Sequence, residues 1–175
     1  SVYHKYVGPD QYLVLNTAAD DANGMIWNNE SPTQHIVRGK SDNFGTSADY
    51  ITYNWHSVPG LQKFGAYTGN GSDDGQFIEL GFKPAIVWIK SNSTSGQEWV
   101  VYDNKRGTIN PVETFSYINT SDEDQSGRAV DLLANGFKFR LGNSGATNYD
   151  DRTYIYCAWA EDPGSGMFGS QSTAR

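Results

Sequence analysis

The chain is poor in the residues that reactive, metal-bound and membrane-embedded proteins depend on. It has a single cysteine, Cys157. That excludes an internal disulfide framework and any zinc site built on several thiolates. Its three histidines, His4, His35 and His56, lie far apart. None has the i, i+4 partner of a helical metal site. Charged residues make up only 19%, with 13 Lys and Arg against 20 Asp and Glu, for a net charge of −7. Only Lys105 and Arg106 are adjacent cations. This balance argues against electrostatic binding to nucleic acid or to an anionic lipid surface. No apolar stretch approaches the roughly 18–20 residues that a membrane helix needs. Strong helix formers are scarce, which argues against a helical bundle. No serine nucleophile elbow or Cys–His signature appears.

Gly, Ser, Asn and Thr together make up 61 of the 175 residues, and aromatics reach 14%. So high an aromatic content argues against disorder. Small polar turns between aromatic and β-branched runs indicate an all-β protein. Strands are expected at 12–15, 35–38, 50–55, 64–67, 77–80, 85–90, 99–102, 115–118, 129–133, 137–140 and 153–160. Turn signals separate most of them: Asn23 with Gly24, 68–71, Asp74 with Gly75, and Asn135 with Gly136. An Asn-Gly or Asp-Gly step supplies the positive φ of a tight hairpin. The small acidic stretches 18–24 and 121–127 are expected to form at most a short helical turn.

The chain also matches itself. Tyr50, Ile51, Trp55, Pro59 and Gly60 align with Tyr154, Ile155, Trp159, Pro163 and Gly164. Leu15, Asn16 and Thr17 align with Ile118, Asn119 and Thr120. Val2, Tyr3 and His4 align with Val101, Tyr102 and Asp103, and Gly8 with Gly107. The co-linear order favours duplication. Residues 1–60 then form the second part of a first unit, 61–164 a complete second unit and 165–175 a tail, with 1–164 packed as one sandwich. A unit that begins midway is expected to be a fragment of a longer protein. The alternation of Ile51, Tyr53 and Trp55, and of Ile155, Cys157 and Trp159, predicts two related strands facing related parts of a core.

Several of these residues carry a family resemblance. The signature comprises Tyr67, Gly69 and Gly71, then Gly81, Phe82, Lys83 and Pro84, then Val87, Trp88, Ile89 and Lys90. It continues through Trp99 to Asp103, Arg106 and Gly107, Asn119 and Thr120, 135–138 and Tyr154 to Tyr156. The pattern resembles a tandem β-sandwich module of structural proteins from tailed bacteriophages, usually described as tail fibres. The resemblance implies an antiparallel sandwich, concanavalin-like or jelly-roll, and an extracellular role in the virion. It carries over no catalytic residues.

Asn70, Ser72 and Asp74 alternate like the start of a calcium loop, with Asp73 adding charge. Position twelve of such a loop would be Gly81 instead of Glu, so a plain hairpin turn is the preferred reading and calcium the alternative. A phosphate loop at 67–75 lacks the following helix and carries Asp73 and Asp74. Glu79, Glu98, Asp103 and Glu161 are the carboxylates available for sugar cleavage. The remaining acids fall in solvated loops. Trp55, Trp88 and Trp159 are expected in the core. Trp27 sits in a polar neighbourhood and is the best candidate for contact with a glycan, joined by Lys105 and Arg106. Surface or strand-edge positions are expected for the histidines, and an inert buried thiol for Cys157.

The expected function is therefore structural: the distal part of a tail fibre adhering to host-surface glycan, with no enzymatic activity. A homo-oligomer, a trimer by analogy with fibres, or contacts with other virion proteins are expected, without nucleic acid or membrane insertion. The alternatives are a fibril or decoration subunit that binds only its neighbours, and a carbohydrate-binding module of a secreted enzyme.

Overall fold

The computed structural model describes residues 1–23 and 51–162. Ten strands run through them: β1 Gln11–Tyr12, β2 Ala22–Asn23, β3 Gln62–Thr68, β4 Phe77–Glu79, β5 Pro84–Ser91, β6 Val100–Asp103, β7 Ser116–Tyr117, β8 Val130–Leu133, β9 Gly136–Phe139 and β10 Thr153–Ala160. The described residues contain no helix, including at 18–23 and 121–127.

All strand pairings are antiparallel. The largest sheet has the order β3-β10-β5-β6-β7, the second β4-β9-β8, and β1 pairs with β2. Alternation along β10 makes the two faces of the large sheet explicit. Tyr154, Tyr156, Ala158 and Ala160 point inward and are buried. They join Val87, Ile89, Val100 and Tyr102 from the same sheet and Ile78, Val130, Leu132, Phe137 and Phe139 from the smaller one. The two sheets thus enclose one core, which is a sandwich. Burying each such Ile, Val or Phe contributes about 1.5–3 kcal/mol. Gly65 on β3 is required because the ring of Tyr156 lies where its Cβ would be.

The strand expected at 50–55 is not a strand over its described residues, 51–55. Ile51, Tyr53 and Trp55 are 82%, 74% and 54% exposed, so the core position expected for them is wrong. The physical reason lies in the partners. Strand β10, their aligned counterpart, is held between β3 and β5. The described residues contain one β3 and one β5, and β10 occupies the facing edge of both. The fold therefore does not display the sequence repeat as two like strands. Residues 58–62 form a turn instead. Leu61 N–H donates to the Val58 carbonyl at 3.1 Å, with Pro59 and Gly60 at its corner and Gly60 at φ 73°. That is the Pro-Gly arrangement of a type II turn. The expected strand at 35–38 lies outside the described residues.

Candidate functional site

The outer face of the large sheet presents a different set of side chains. Cys157 on β10 is opposite Phe64 on β3 and Trp88 on β5. Trp159 is opposite Gln62 and Ile86, and Ile155 is opposite Ala66 and Lys90. This face divides into two halves.

One half is roofed by residues 1–23. Val7 and Leu13 bury themselves against Trp99 and Ile155, with Val2 and Ile118 at the margin. The Trp99 indole donates to the Val14 carbonyl at 3.1 Å. Gly96 N–H donates to the Ala18 carbonyl at 2.9 Å. Lys90 is fully buried under this roof, its ammonium donating to the carbonyls of Ser91 at 2.9 Å and Ala18 at 3.4 Å. Burial pushes its pKa down to about 8, against the opposing pull of Asp20, Glu98 and Asp21. His4 is also buried, contrary to the surface position expected for it. Burial first, and Lys5 second, lower its pKa to about 4, so it is neutral at pH 7. His56 is exposed, and His35 lies outside the described residues.

The other half carries an aromatic strip. Trp159 is its centre, with Trp88 at 5.0 Å, Phe64 at 5.7 Å and Trp55 at 6.3 Å between ring centroids, all edge-on. Tyr53 stacks on Trp55 at 6.1 Å and 16°. Trp88 and Trp159 are half-buried on this outer face. Neither belongs to the inter-sheet core, which corrects the expectation for both. Cys157 points outward as well, half-buried between Phe64 and Trp88. Burial pushes its thiol up to about 12, so it carries no thiolate at neutral pH.

Beside Trp88 opens a cleft of about 710 Å³. Trp88 and Val101 contribute its apolar part, and Asp103, Asn104, Lys105 and Arg106 its polar part. Asp103 organises the turn after β6. Its Oδ1 accepts the amides of Lys105 and Arg106 at 2.9 and 2.8 Å, and its Oδ2 accepts from the Arg106 guanidinium at 2.6 Å. Arg106 also pairs with Asp124 at 3.1 Å. Its charge is thus already matched, while Lys105 stays exposed. Two donors in the cleft lining, the Trp88 indole N–H and the Asn104 amide, are buried without a hydrogen-bond partner. A buried donor left unpaired costs about 1–3 kcal/mol, and neither atom reaches the cleft surface.

The other expected site residues fall elsewhere. Asn70, Ser72 and Asp74 do meet in one loop, but their oxygens serve the loop. Asn70 Oδ1 accepts the Ser72 amide and Ser72 Oγ the Asp74 amide, each at 3.1 Å. The Asp74 carboxylate pairs with Lys138 at 2.7 Å and Arg140 at 3.4 Å, and Lys138 first holds its pKa low. A cation would have to displace both side chains. Among the described residues no group of three His, Cys, Asp or Glu is placed to hold a metal ion. The carboxylates considered for sugar cleavage are dispersed: Glu79 on β4, Glu98 accepting from Asn119, Asp103 on Arg106 and Glu161 on Lys83 at 2.7 Å. Trp27 lies outside the described residues. The aromatic strip was missed because alternation shows that a strand has two faces, but not which of them another sheet covers.

An all-β sandwich with one aromatic outer half is thus the class of protein that this fold and face define. The chain belongs to the family described as Domain of unknown function (DUF7483), whose model matches residues 1–163. No curated protein and no solved structure matches it.

Proposed function

We propose that the chain is a structural module of a bacteriophage virion, acting in a tail fibre by adhesion to host-surface glycan. The observation that carries the adhesive part is the aromatic strip Tyr53, Trp55, Trp159 and Trp88 running into the cleft, with Tyr53 and Trp55 exposed. Indole and phenol rings offer apolar faces to the C–H side of a sugar ring, and each also carries a polar edge. The exposed ammonium of Lys105 would favour a sugar bearing a carboxylate. The virion setting rests on the resemblance of the strand and turn signature, and the expected trimer on the analogy with fibres. Shallow sites of this kind bind weakly one at a time. Copies presented together on a particle raise the avidity by about 10²–10⁴.

The test is a glycan array probed with the full chain and with Trp55→Ala. Truncating a hot-spot tryptophan costs about 2 kcal/mol or more, which is about a 30-fold loss of affinity. Selective binding that falls by this much supports the reading. No binding above background, or binding unchanged by the substitution, overturns it. The alternative of a subunit that touches only its neighbours draws on a separate observation, the roofed half of the same face.

A further inference from the structure

We infer that residues 2–23 are a structural duplicate of residues 101–125, and that the outer face around Trp99 and Ile155 is the socket by which one copy of this fold unit holds the β6–β7 hairpin of another copy. The inference is independent of whether the free half binds glycan.

The argument is the backbone register. Val2 and Leu13 exchange both of their hydrogen bonds, at 2.7 and 3.0 Å. Their aligned residues, Val101 and Ser116, face each other in β6–β7. Tyr12 then faces Ala22 across β1–β2. The aligned residues Phe115 and Gln125 form a bridge and also exchange both bonds, at 3.0 and 2.7 Å. Each hairpin therefore makes the same two successive pairings, the second on the strand that closes the first. The turns open alike too. His4 Nδ1 accepts the amide of Tyr6 at 3.4 Å, and Asp103 Oδ1 accepts the amide of Lys105 at 2.9 Å, each two residues ahead. Hairpin register follows from turn length and from side-chain pattern. The two turns differ in both length and sequence, so the shared register is not imposed by the turns. Common descent of the two hairpins accounts for it.

The copies diverge where their surroundings diverge. In the first, Val7 and Leu13 enter the socket and are buried. In the second, the aligned positions are Arg106 and Ser116, which line the open cleft. At these two positions an apolar residue stands where the hairpin is seated and a polar one where it is not, while Val101, aligned with Val2, is apolar in both copies. The seat is also more than apolar contact: Trp99, Gly96 and Lys90 all donate to carbonyls of the seated copy. The partner that fits this socket is thus the hairpin of a second unit of the same fold, and the contact is a joint between consecutive units.

Two measurements on the full chain test this, both in a Cys157→Ser background. The first is Tyr3→Cys with Tyr12→Cys. These positions align with Tyr102 and Phe115, whose rings lie 5.7 Å apart across the second hairpin. The pair is expected to oxidise to a disulfide, seen as the loss of two hydrogens by mass, while Tyr3→Cys with Leu13→Cys stays reduced. The reverse outcome, or no difference between the pairs, overturns the inference. The second replaces residues 4–11 by the sequence of 103–114. Slow amide exchange at Val2 and Leu13, and slow exchange of the Trp99 indole proton, are expected to survive. Both are expected to be lost when the same inserted residues are scrambled. Equal behaviour of the two chimeras overturns the inference, and the cysteine pairs decide the register if neither chimera folds.

Discussion

Replacing Lys90 by methionine is expected to abolish a specific pH dependence of stability. Lys90 is fully buried between β10 and the roof formed by residues 1–23. Desolvation lowers its pKa from 10.5 to about 8, although Asp20, Glu98 and Asp21 pull the other way. One pKa unit corresponds to 1.36 kcal/mol, so holding the charge costs the folded state about 3 kcal/mol below pH 8. Between pH 8 and pH 10.5 the unfolded chain binds this proton and the folded chain releases it. Stability from this group therefore rises with pH across that window. At pH 9.5 the gain relative to pH 7 is about 2 kcal/mol. The Lys90→Met side chain removes the cost, but it also removes a charged donor to the Ser91 carbonyl, worth about 1.5–3 kcal/mol. The two effects nearly offset at pH 7, where the variant and the parent are expected to differ by about 1 kcal/mol or less. Urea unfolding at pH 7 and pH 9.5 checks this, because other titrating groups act alike in both chains. The parent should gain about 2 kcal/mol over Lys90→Met on going to pH 9.5. Parallel pH profiles would refute the reasoning, since they would mean that Lys90 reaches water in the folded chain.

Two further outcomes are expected. His4 has its pKa lowered from 6.5 to about 4, so the unfolded state binds its proton first and stability falls as pH drops from 6.5 through 4. About 3 kcal/mol is lost below pH 4, and His4→Phe should flatten that part of an acid-unfolding profile. Gly65→Ala places a Cβ on the Tyr156 ring and is expected to cost about 1–3 kcal/mol by overpacking. Thermal unfolding should show it as a drop of a few degrees in Tm, at about 2–4 °C per kcal/mol for a chain of this size.

The strands were largely legible in the sequence, and the faces were not. Strand β10 runs over Thr153–Ala160, as its alternating aromatics predict, and β3, β5, β8 and β9 begin and end within two residues of expectation. Strand β2 at Ala22–Asn23 went unseen, since two polar-flanked residues carry no period. Burial failed where it depended on a neighbour. Ile51 to Trp55 has the alternation of β10 but lacks the two strands that bury β10. His4 looks like a surface residue in sequence and is buried among distant residues. In the site, Lys105 and Arg106 are legible as adjacent cations in a polar turn, and the cleft beside them is not. Nothing local to them announced that Asp103 and Asp124 would occupy the arginine.

The outer face shows why composition alone cannot separate sticking from assembling. Its two halves use the same chemistry: Trp99 under the roof and Trp159 in the strip are both indoles on the outward side of the same sheet. What differs is cover. Trp99 is 2% exposed, while Trp55 in the strip is 54% exposed. Pairing does not separate the halves, since His4 Nε2 under the roof and the Trp88 indole N–H are both buried without a partner. If both halves served only to join units, the partner of Trp55 would be an apolar side chain from another copy. If the strip binds glycan, that partner is the C–H side of a sugar ring. A Trp55→Ala substitution removes an exposed ring that lies outside the inter-sheet core. It should therefore weaken whichever contact is real and leave the fold intact, and comparing glycan affinity with self-association in that one variant tells the two apart.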